Sequence, residues 1–307
     1  MRVLLTGWAG FVHGEATAGD VLAMEAVRET LAGAGVECEV AWSPVMRPDG
    51  LTLERADPAR YTHVVMVCGP AHGEQVEWLH RRFPHCRRIA VGVSVVDPAS
   101  PAVTGFHAVL PRDAPGTAPR ADLAAAPAAP VPGPPVVGVV LSGGQPEYGD
   151  RGRHVPIAEE LTAWLGSRAC ARVPLDTRLD PRDWRHAATP AELEAVIGRL
   201  DLVVTTRLHG LVLALRNGVP ALAVDPVRGG AKISAQAVAW EWPAVVTTGN
   251  RDAPPFLRRP VLDRWYDWCL SPEGGGASAR RSPPAPSLLD DLLRTLGTGA
   301  AARRSTP

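Results

Sequence analysis

Short β-branched apolar runs alternate with longer stretches of helical periodicity along nearly the whole chain. Val3, Leu4 and Leu5 open with a strand, and a Gly-rich loop over residues 7–19 follows. Val21, Met24, Val27 and Leu31 then recur at helical spacing, with Asp20 as the expected N-cap and Gly33 and Gly35 as the stop. Strands are predicted over 37–42, 63–68, 88–93 and 106–110, with a helix over 74–83. The rhythm restarts with a strand over 136–141 and a second Gly-rich loop, Ser142-Gly143-Gly144-Gln145, running to His154. A helix over 157–166 and a strand over 171–175 come next. Thr189 with Glu192 three residues on is a capping-box signature for the helix of Leu193, Val196 and Ile197. Beyond it lie a strand at Leu202, Val203 and Val204, a helix carrying Leu208, Leu211, Val212 and Leu215, and a strand over 221–224. A helix over 233–242, a strand over 243–247 and an aromatic-rich helix over 261–270 complete the pattern.

Strand, loop and helix in regular succession predict an α/β protein with parallel sheets. The Ala/Pro-rich segment 114–135 cannot hold a sheet and reads as a linker. It separates a Rossmann-like domain over 1–113 from another over 136–270. The remainder, 271–307, is rich in Pro, Gly, Ser, Ala and Arg and is expected to be mostly disordered, apart from an amphipathic stretch over 288–296.

Composition narrows the function. The 307 residues carry no net charge, so there is no basic field to favour nucleic acid or an anionic membrane. No apolar run is long enough to span a bilayer, and the opening MRVLLTGWAG is too short in apolar residues for a secretory leader. The five cysteines are scattered without a CxxC pair, which favours reduced thiols in a cytoplasmic protein. No His/Asp/Glu cluster has metal-ligand spacing, so no metal and no cofactor are called for.

The candidate chemistry concentrates in residues 201–232, DLVVTTRLHGLVLALRNGVPALAVDPVRGGAK. Thr205 or Thr206 can cap the helix near Leu208, and Asn217-Gly218 ends it. Ligands of parallel α/β sheets bind beyond the carboxyl ends of the strands. Arg207 and His209 leave one strand at that edge, and the loop to Lys232 leaves the next. A guanidinium offers a planar fork for phosphate or carboxylate, and an imidazole exchanges a proton near neutral pH. Arg207 can equally pair with a carboxylate, and His209 can simply cap the helix. Lys232 is the sole lysine among 32 basic residues, which points either to a need for an ammonium in place of a guanidinium or to chance.

Thr206-Arg207-Leu208-His209-Gly210, then an apolar helix, Gly218-Val219-Pro220, a strand and Lys232, resembles the polysaccharide pyruvyl transferase family. The resemblance implies two Rossmann-like domains facing across a cleft, the GT-B arrangement, with the N-terminal domain on the acceptor side. It implies transfer of pyruvate from phosphoenolpyruvate to a sugar or glycan hydroxyl in polysaccharide biosynthesis. His209 would be the acid or base, Arg207 the phosphate or carboxylate clamp, and Lys232 a second anion ligand. The family's Asn-x-Gly-Asp pattern survives here only as Gly19-Asp20, where Asp20 is either a ligand or a helix cap. Arg112, followed by Asp113, resembles a family element and either supports the cleft or forms a salt bridge. Gly143 and Gly144 can offer backbone N–H groups to phosphate or sugar. Glu147 and His154 can reach an acceptor but read equally as solvated loop residues. Two alternatives share these residues: a GT-B-type glycosyltransferase using a nucleotide sugar, and a non-catalytic relative that binds an anionic ligand.

Overall fold

The computed structural model describes residues 1–12, 15–127, 132–249, 253–280 and 287–296. The chain divides into two compact units, Met1–Val131 and Pro132–Pro307. The division falls inside the Ala/Pro-rich segment.

The first unit runs β1 (Arg2–Gly7), α1 (Ala18–Gly33), β2 (Glu37–Val40), β3 (His63–Val67), α2 (Glu74–Arg82), β4 (Arg87–Ser94), the short α3 (Pro101–Thr104) and β5 (Ala108–Asp113). Its strands pair in parallel in the order β2-β1-β3-β4-β5. The register sets Leu4 beside Val64 and Val64 beside Arg88. Leu4, Val64, Leu79 and Phe83 are fully buried on one face of this sheet, and Leu5, Met24 and Val67 on the other.

The second unit runs β6 (Val136–Val140), α4 (His154–Gly166), β7 (Ala171–Pro174), α5 (Pro190–Ile197), β8 (Leu202–Thr205), α6 (Leu208–Arg216), β9 (Ala221–Asp225), α7 (Lys232–Ala239), β10 (Val245–Thr247), α8 (Arg259–Cys269), α9 (Pro272–Arg280) and α10 (Ser287–Thr295). Its parallel order is β10-β9-β8-β6-β7. Counted within its own unit, each sheet therefore has the order 2-1-3-4-5, a doubly wound Rossmann-like arrangement. Central β8 and β9 are buried along their whole length, which is why they read as continuous apolar runs. Trp164 meets Tyr266 edge-on at 5.6 Å, and Trp242 tilts against Trp268 at 5.3 Å. The aromatics of α8 thus pack the core. Among the described residues no helix is long and apolar enough to cross a membrane.

Three local expectations change. Thr17, not Asp20, is the N-cap of α1. The Thr17 Oγ1 accepts from the Asp20 N–H at 3.2 Å, and the Asp20 carboxylate accepts from the Thr17 N–H at 3.0 Å. This is a reciprocal capping box, shifted three residues upstream of the expected cap. The N-cap of α6 is Arg207, and no side chain caps it, because the hydroxyls of Thr205 and Thr206 are committed elsewhere. Finally, part of the segment expected to be disordered is folded. The α9 helix, PEGGGASAR, packs close because its glycines permit it. A Cβ at Gly274 would stand 2.2 Å from the Trp268 carbonyl oxygen, and the Ser278 hydroxyl donates to the Gly218 carbonyl at 2.9 Å. The Gly-rich composition reflects close helix packing there. The α10 helix covers most of the expected amphipathic stretch; residues 281–286 and 297–307, also expected to be disordered, lie outside the described residues.

Candidate functional site

In a sheet of order 2-1-3-4-5 the chain changes winding direction between its first and third strands, and ligands collect beyond their carboxyl ends. In the second unit these strands are β6 and β8. Thr206, just past β8, accepts a hydrogen bond at its Oγ1 from the Ser142 N–H at 2.8 Å, while the Thr206 N–H donates to the Val140 carbonyl at 3.0 Å. The two strand ends are therefore tied together where Gly143 and Gly144 and the Arg207–Gly210 turn both begin. Gly143 and Gly144 are exposed, and a Cβ on either would meet nothing within 4 Å.

Buried Thr205 sets the turn. Its Oγ1 accepts from the Arg207 N–H at 2.9 Å and lies 3.1 Å from the Val140 carbonyl oxygen. That hydroxyl fills the space a side chain at Gly210 would need, since a Cβ there would fall 2.2 Å from it. The glycine ending the Arg-x-His-Gly motif is thus required by the seating of α6 on the ends of β6 and β8. The uncapped start of α6 leaves its positive dipole end at the edge, a setting that favours an anion. His209 is exposed in the first turn of that helix.

The Arg207 side chain is half-buried and paired. One terminal nitrogen donates to Asp176 Oδ1 at 2.8 Å and lies 3.4 Å from Thr177 Oγ1. Asp176 and Thr177 follow β7, the neighbour of β6. The salt bridge that stood as the alternative reading of Arg207 is present, and it orients the fork.

Lys232 is held by a separate network. Asp225, at the end of β9, is buried. One of its oxygens accepts from the Ala231 N–H at 2.7 Å, the Ser234 N–H at 2.9 Å and the Ser234 hydroxyl at 2.8 Å; the other accepts from the Val227 N–H at 3.1 Å. This carboxylate closes the loop and anchors the start of α7, whose first residue is Lys232. The loop after β6 reaches the same place. Arg151 donates to the Arg228 carbonyl at 3.1 Å and to the Gly230 carbonyl at 3.2 Å, and the Arg153 N–H donates to the Pro226 carbonyl at 2.8 Å. It also brings Tyr148 beneath Lys232, with the Nζ 5.9 Å from the ring centroid. Tyr148 in turn stacks on buried His154 at 6.4 Å. Burial pushes the His154 imidazole down first; Asp225 and Glu147 oppose this, and Lys232 adds to it.

Loops from the adjacent strands β6, β8 and β9 therefore carry Gly143, Gly144, Arg207, His209 and Lys232 to one edge of one sheet, with the β6 loop touching both others. The remaining predicted residues lie in the first unit. Gly19 is half-buried in the first turn of α1, and Asp20 is bound to Thr17. Arg112 donates to Asp113 at 2.9 Å, to Ser94 Oγ at 2.7 Å and to Asp122. Its guanidinium is engaged on all sides. Asp176, Thr177, Tyr148 and Asp225 were missed by sequence reasoning. Only Asp225, the last residue of a buried strand, left a signal there: a carboxylate in that position has to be satisfied.

Residues 172–226 match the polysaccharide pyruvyl transferase family. The matched segment runs from β7 through β9 and contains Asp176, Thr177, Arg207 and His209; Lys232 lies just beyond it. No curated protein matches the chain. Among solved structures, the spinosyn rhamnosyltransferase SpnG with thymidine diphosphate is 13% identical, covering 97% of this chain and 100% of that one at a TM-score of 0.33. MurG of Acinetobacter baumannii is 12% identical, with coverages of 96% and 99% and a TM-score of 0.32. The glycosyltransferase SsfS6 of Streptomyces sp. SF2575, with thymidine diphosphate, is 15% identical, with coverages of 97% and 99% and a TM-score of 0.31. These likenesses are remote. The reading of the site rests on its side chains and on the family match.

Proposed function

We propose that this protein is a pyruvyl transferase, moving pyruvate from phosphoenolpyruvate to a hydroxyl of a sugar or glycan in the cytoplasm. The observation that carries the reading is the Arg207-Leu208-His209-Gly210 turn opening α6 at the carboxyl end of β8, inside the segment that matches the family. A turn with a paired guanidinium, an exposed imidazole and an uncapped helix start suits a small polyanion whose carbon must be protonated.

The chemistry assigns each residue a task. Arg207 and Lys232 hold the phosphate and carboxylate, with Gly143 and Gly144 adding backbone N–H groups. His209 delivers a proton to the methylene carbon, and a sugar hydroxyl adds to the neighbouring carbon, losing its own proton to the imidazole left neutral by that step. The bond between that carbon and the phosphate oxygen then breaks, and phosphate leaves with the electron pair. A second hydroxyl of the sugar closes a ketal, its proton leaving with the phosphate. Preoriented cations around the departing phosphate are the type of group that contributes most to such rates. Gly19, Asp20 and Arg112 are assigned to the acceptor by resemblance alone.

Calorimetric titration of phosphoenolpyruvate into the wild type, Arg207→Met and Lys232→Met tests the reading, with uridine and guanosine diphosphates as controls. Saturable binding that weakens by about tenfold or more in each variant is expected, about 1.4 kcal/mol per ion contact. Nucleotide binding without phosphoenolpyruvate binding would overturn it.

A further inference from the structure

The nine tryptophans all lie among the described residues, and eight are buried or half-buried. Trp184 is 92% exposed. A tryptophan is among the side chains that gain most from burial, so one held open to solvent on an ordered loop is informative. The loop is ordered. The Asp180 N–H donates to the Ala187 carbonyl at 3.1 Å, closing its neck. The carboxylates of Asp176, Asp180 and Asp183 each accept from the backbone N–H two residues on, at 2.9, 3.0 and 3.0 Å.

The surroundings define the chemistry. Trp184 lines an open depression of about 680 Å³ with Asp180, Arg182, Asp183 and Arg185. Arg185 grips Asp183 through two nitrogens at 2.9 and 2.8 Å, and Arg182 reaches Asp180 at 3.2 Å. The result is one exposed aromatic ring sharing an open depression with planar groups that accept and donate hydrogen bonds. A pyranose has the complementary surface, an apolar C–H face edged by vicinal hydroxyls. A protein hot spot would instead set the aromatic ring within a broad apolar patch, and Leu179 is the only other exposed large apolar side chain on this loop.

Position connects the depression to the site. The loop leaves the carboxyl end of β7, and its first residues, Asp176 and Thr177, hold Arg207. Trp184 lies eight residues beyond Asp176, so even a fully extended chain would keep it within about 29 Å, and the closed neck brings it nearer. We propose that Trp184, flanked by Asp180 and Asp183, is a stacking subsite for a sugar unit of the acceptor glycan, away from the unit that receives the pyruvyl group. The proposal rests on the pyruvyl transferase reading for the word acceptor but not for the binding of sugar.

The test titrates short gluco-, galacto- and manno-oligosaccharides into the wild type, Trp184→Ala and Trp184→Tyr by calorimetry. Acrylamide quenching of the exposed tryptophan's red-edge emission is followed in parallel. At least one oligosaccharide series is expected to bind and shield that emission. Its affinity should fall tenfold or more in Trp184→Ala and recover largely in Trp184→Tyr, with unfolding midpoints unchanged. Equal affinity in Trp184→Ala would overturn the subsite. So would the absence of binding across the panel, or Trp184-dependent binding confined to nucleotides, vesicles or proteins. Phosphoenolpyruvate titrated into the same variants separates the two readings. If it fails to bind the wild type while oligosaccharides bind through Trp184, the transferase reading fails and the sugar subsite stands.

Discussion

Replacing Gly210 by alanine discriminates between helix propensity and packing because the two predict opposite signs. Gly210 lies in the first turn of α6, and alanine in place of glycine in a helix is worth about 1 kcal/mol of stabilisation. The structure predicts a loss. The new Cβ would fall 2.2 Å from Thr205 Oγ1, 2.9 Å from Thr205 Cβ and 3.3 Å from Val140 Cβ. Thr205 is fully buried, and its hydroxyl receives the Arg207 N–H. If Thr205 rotates away, that bond is lost and a part-buried N–H is left without it, costing up to about 1–3 kcal/mol. If α6 shifts instead, overpacking costs about 1–3 kcal/mol. Either cost, taken near the upper end of its range and set against the propensity gain, leaves a net destabilisation of about 1–2 kcal/mol. Gly275 in α9 is the matched control, since a Cβ there meets nothing within 4 Å and alanine should stabilise by about 0.5–1 kcal/mol. Urea unfolding followed by tryptophan fluorescence reads mainly the second unit, which holds six of the nine tryptophans. A loss of 2 kcal/mol at a slope of about 2 kcal/mol per molar lowers the midpoint by about 1 M. A Gly210→Ala midpoint equal to or above the wild type would refute the packing account of the motif's glycine.

Asp225→Asn removes one acceptor oxygen and the charge from a carboxylate serving four donors, so unfolding should become easier by about 2–4 kcal/mol. Phosphoenolpyruvate affinity should drop with it as Lys232 loses its anchor; unchanged stability on denaturation would reject this role. Asp176→Ala should weaken phosphoenolpyruvate binding by about tenfold because Arg207 loses its orientation, and tighter binding in the calorimeter would show that Asp176 competes with the ligand instead. Burial holds the imidazoles of His80 and His154 below their ordinary 6.5. As pH falls, the unfolded chain therefore takes up these protons before the folded one does. Stability should be complete above about pH 6.5 and decline as pH falls towards the lower folded values. Urea midpoints of the wild type and of His80→Gln/His154→Gln at about pH 5 and about pH 8 check this, and an equal slope in the double variant would exclude these two groups.

Much of the architecture was legible from the pattern of side chains alone. The central strands β8 and β9 announced themselves as continuous apolar runs, because parallel strands covered on both faces have no polar side to show. The Arg-x-His-Gly turn and the lone lysine were equally visible, because backbone turns and rare residue choices are written locally. Capping was harder. Thr17 and Asp20 share their hydrogen bonds across three residues, and the Gly-rich composition upstream drew the cap towards the wrong member of the pair. The α9 helix was hidden for a related reason: its glycines look like a flexible tail until Trp268 and Cys269 are seen against Gly274, and Gly218 against Ser278.

The sequence by itself determined which residues are candidates for the chemistry and which strands they follow, because periodicity and turn residues are properties of neighbours along the chain. The tertiary structure alone decided the partners. Asp176 lies 31 residues from Arg207, and Tyr148 reaches Lys232 through a loop that leaves a different strand. Strand order sets those meetings. Placing β6 between β7 and β8 is a choice made by packing a whole sheet, and no stretch of neighbouring residues encodes it.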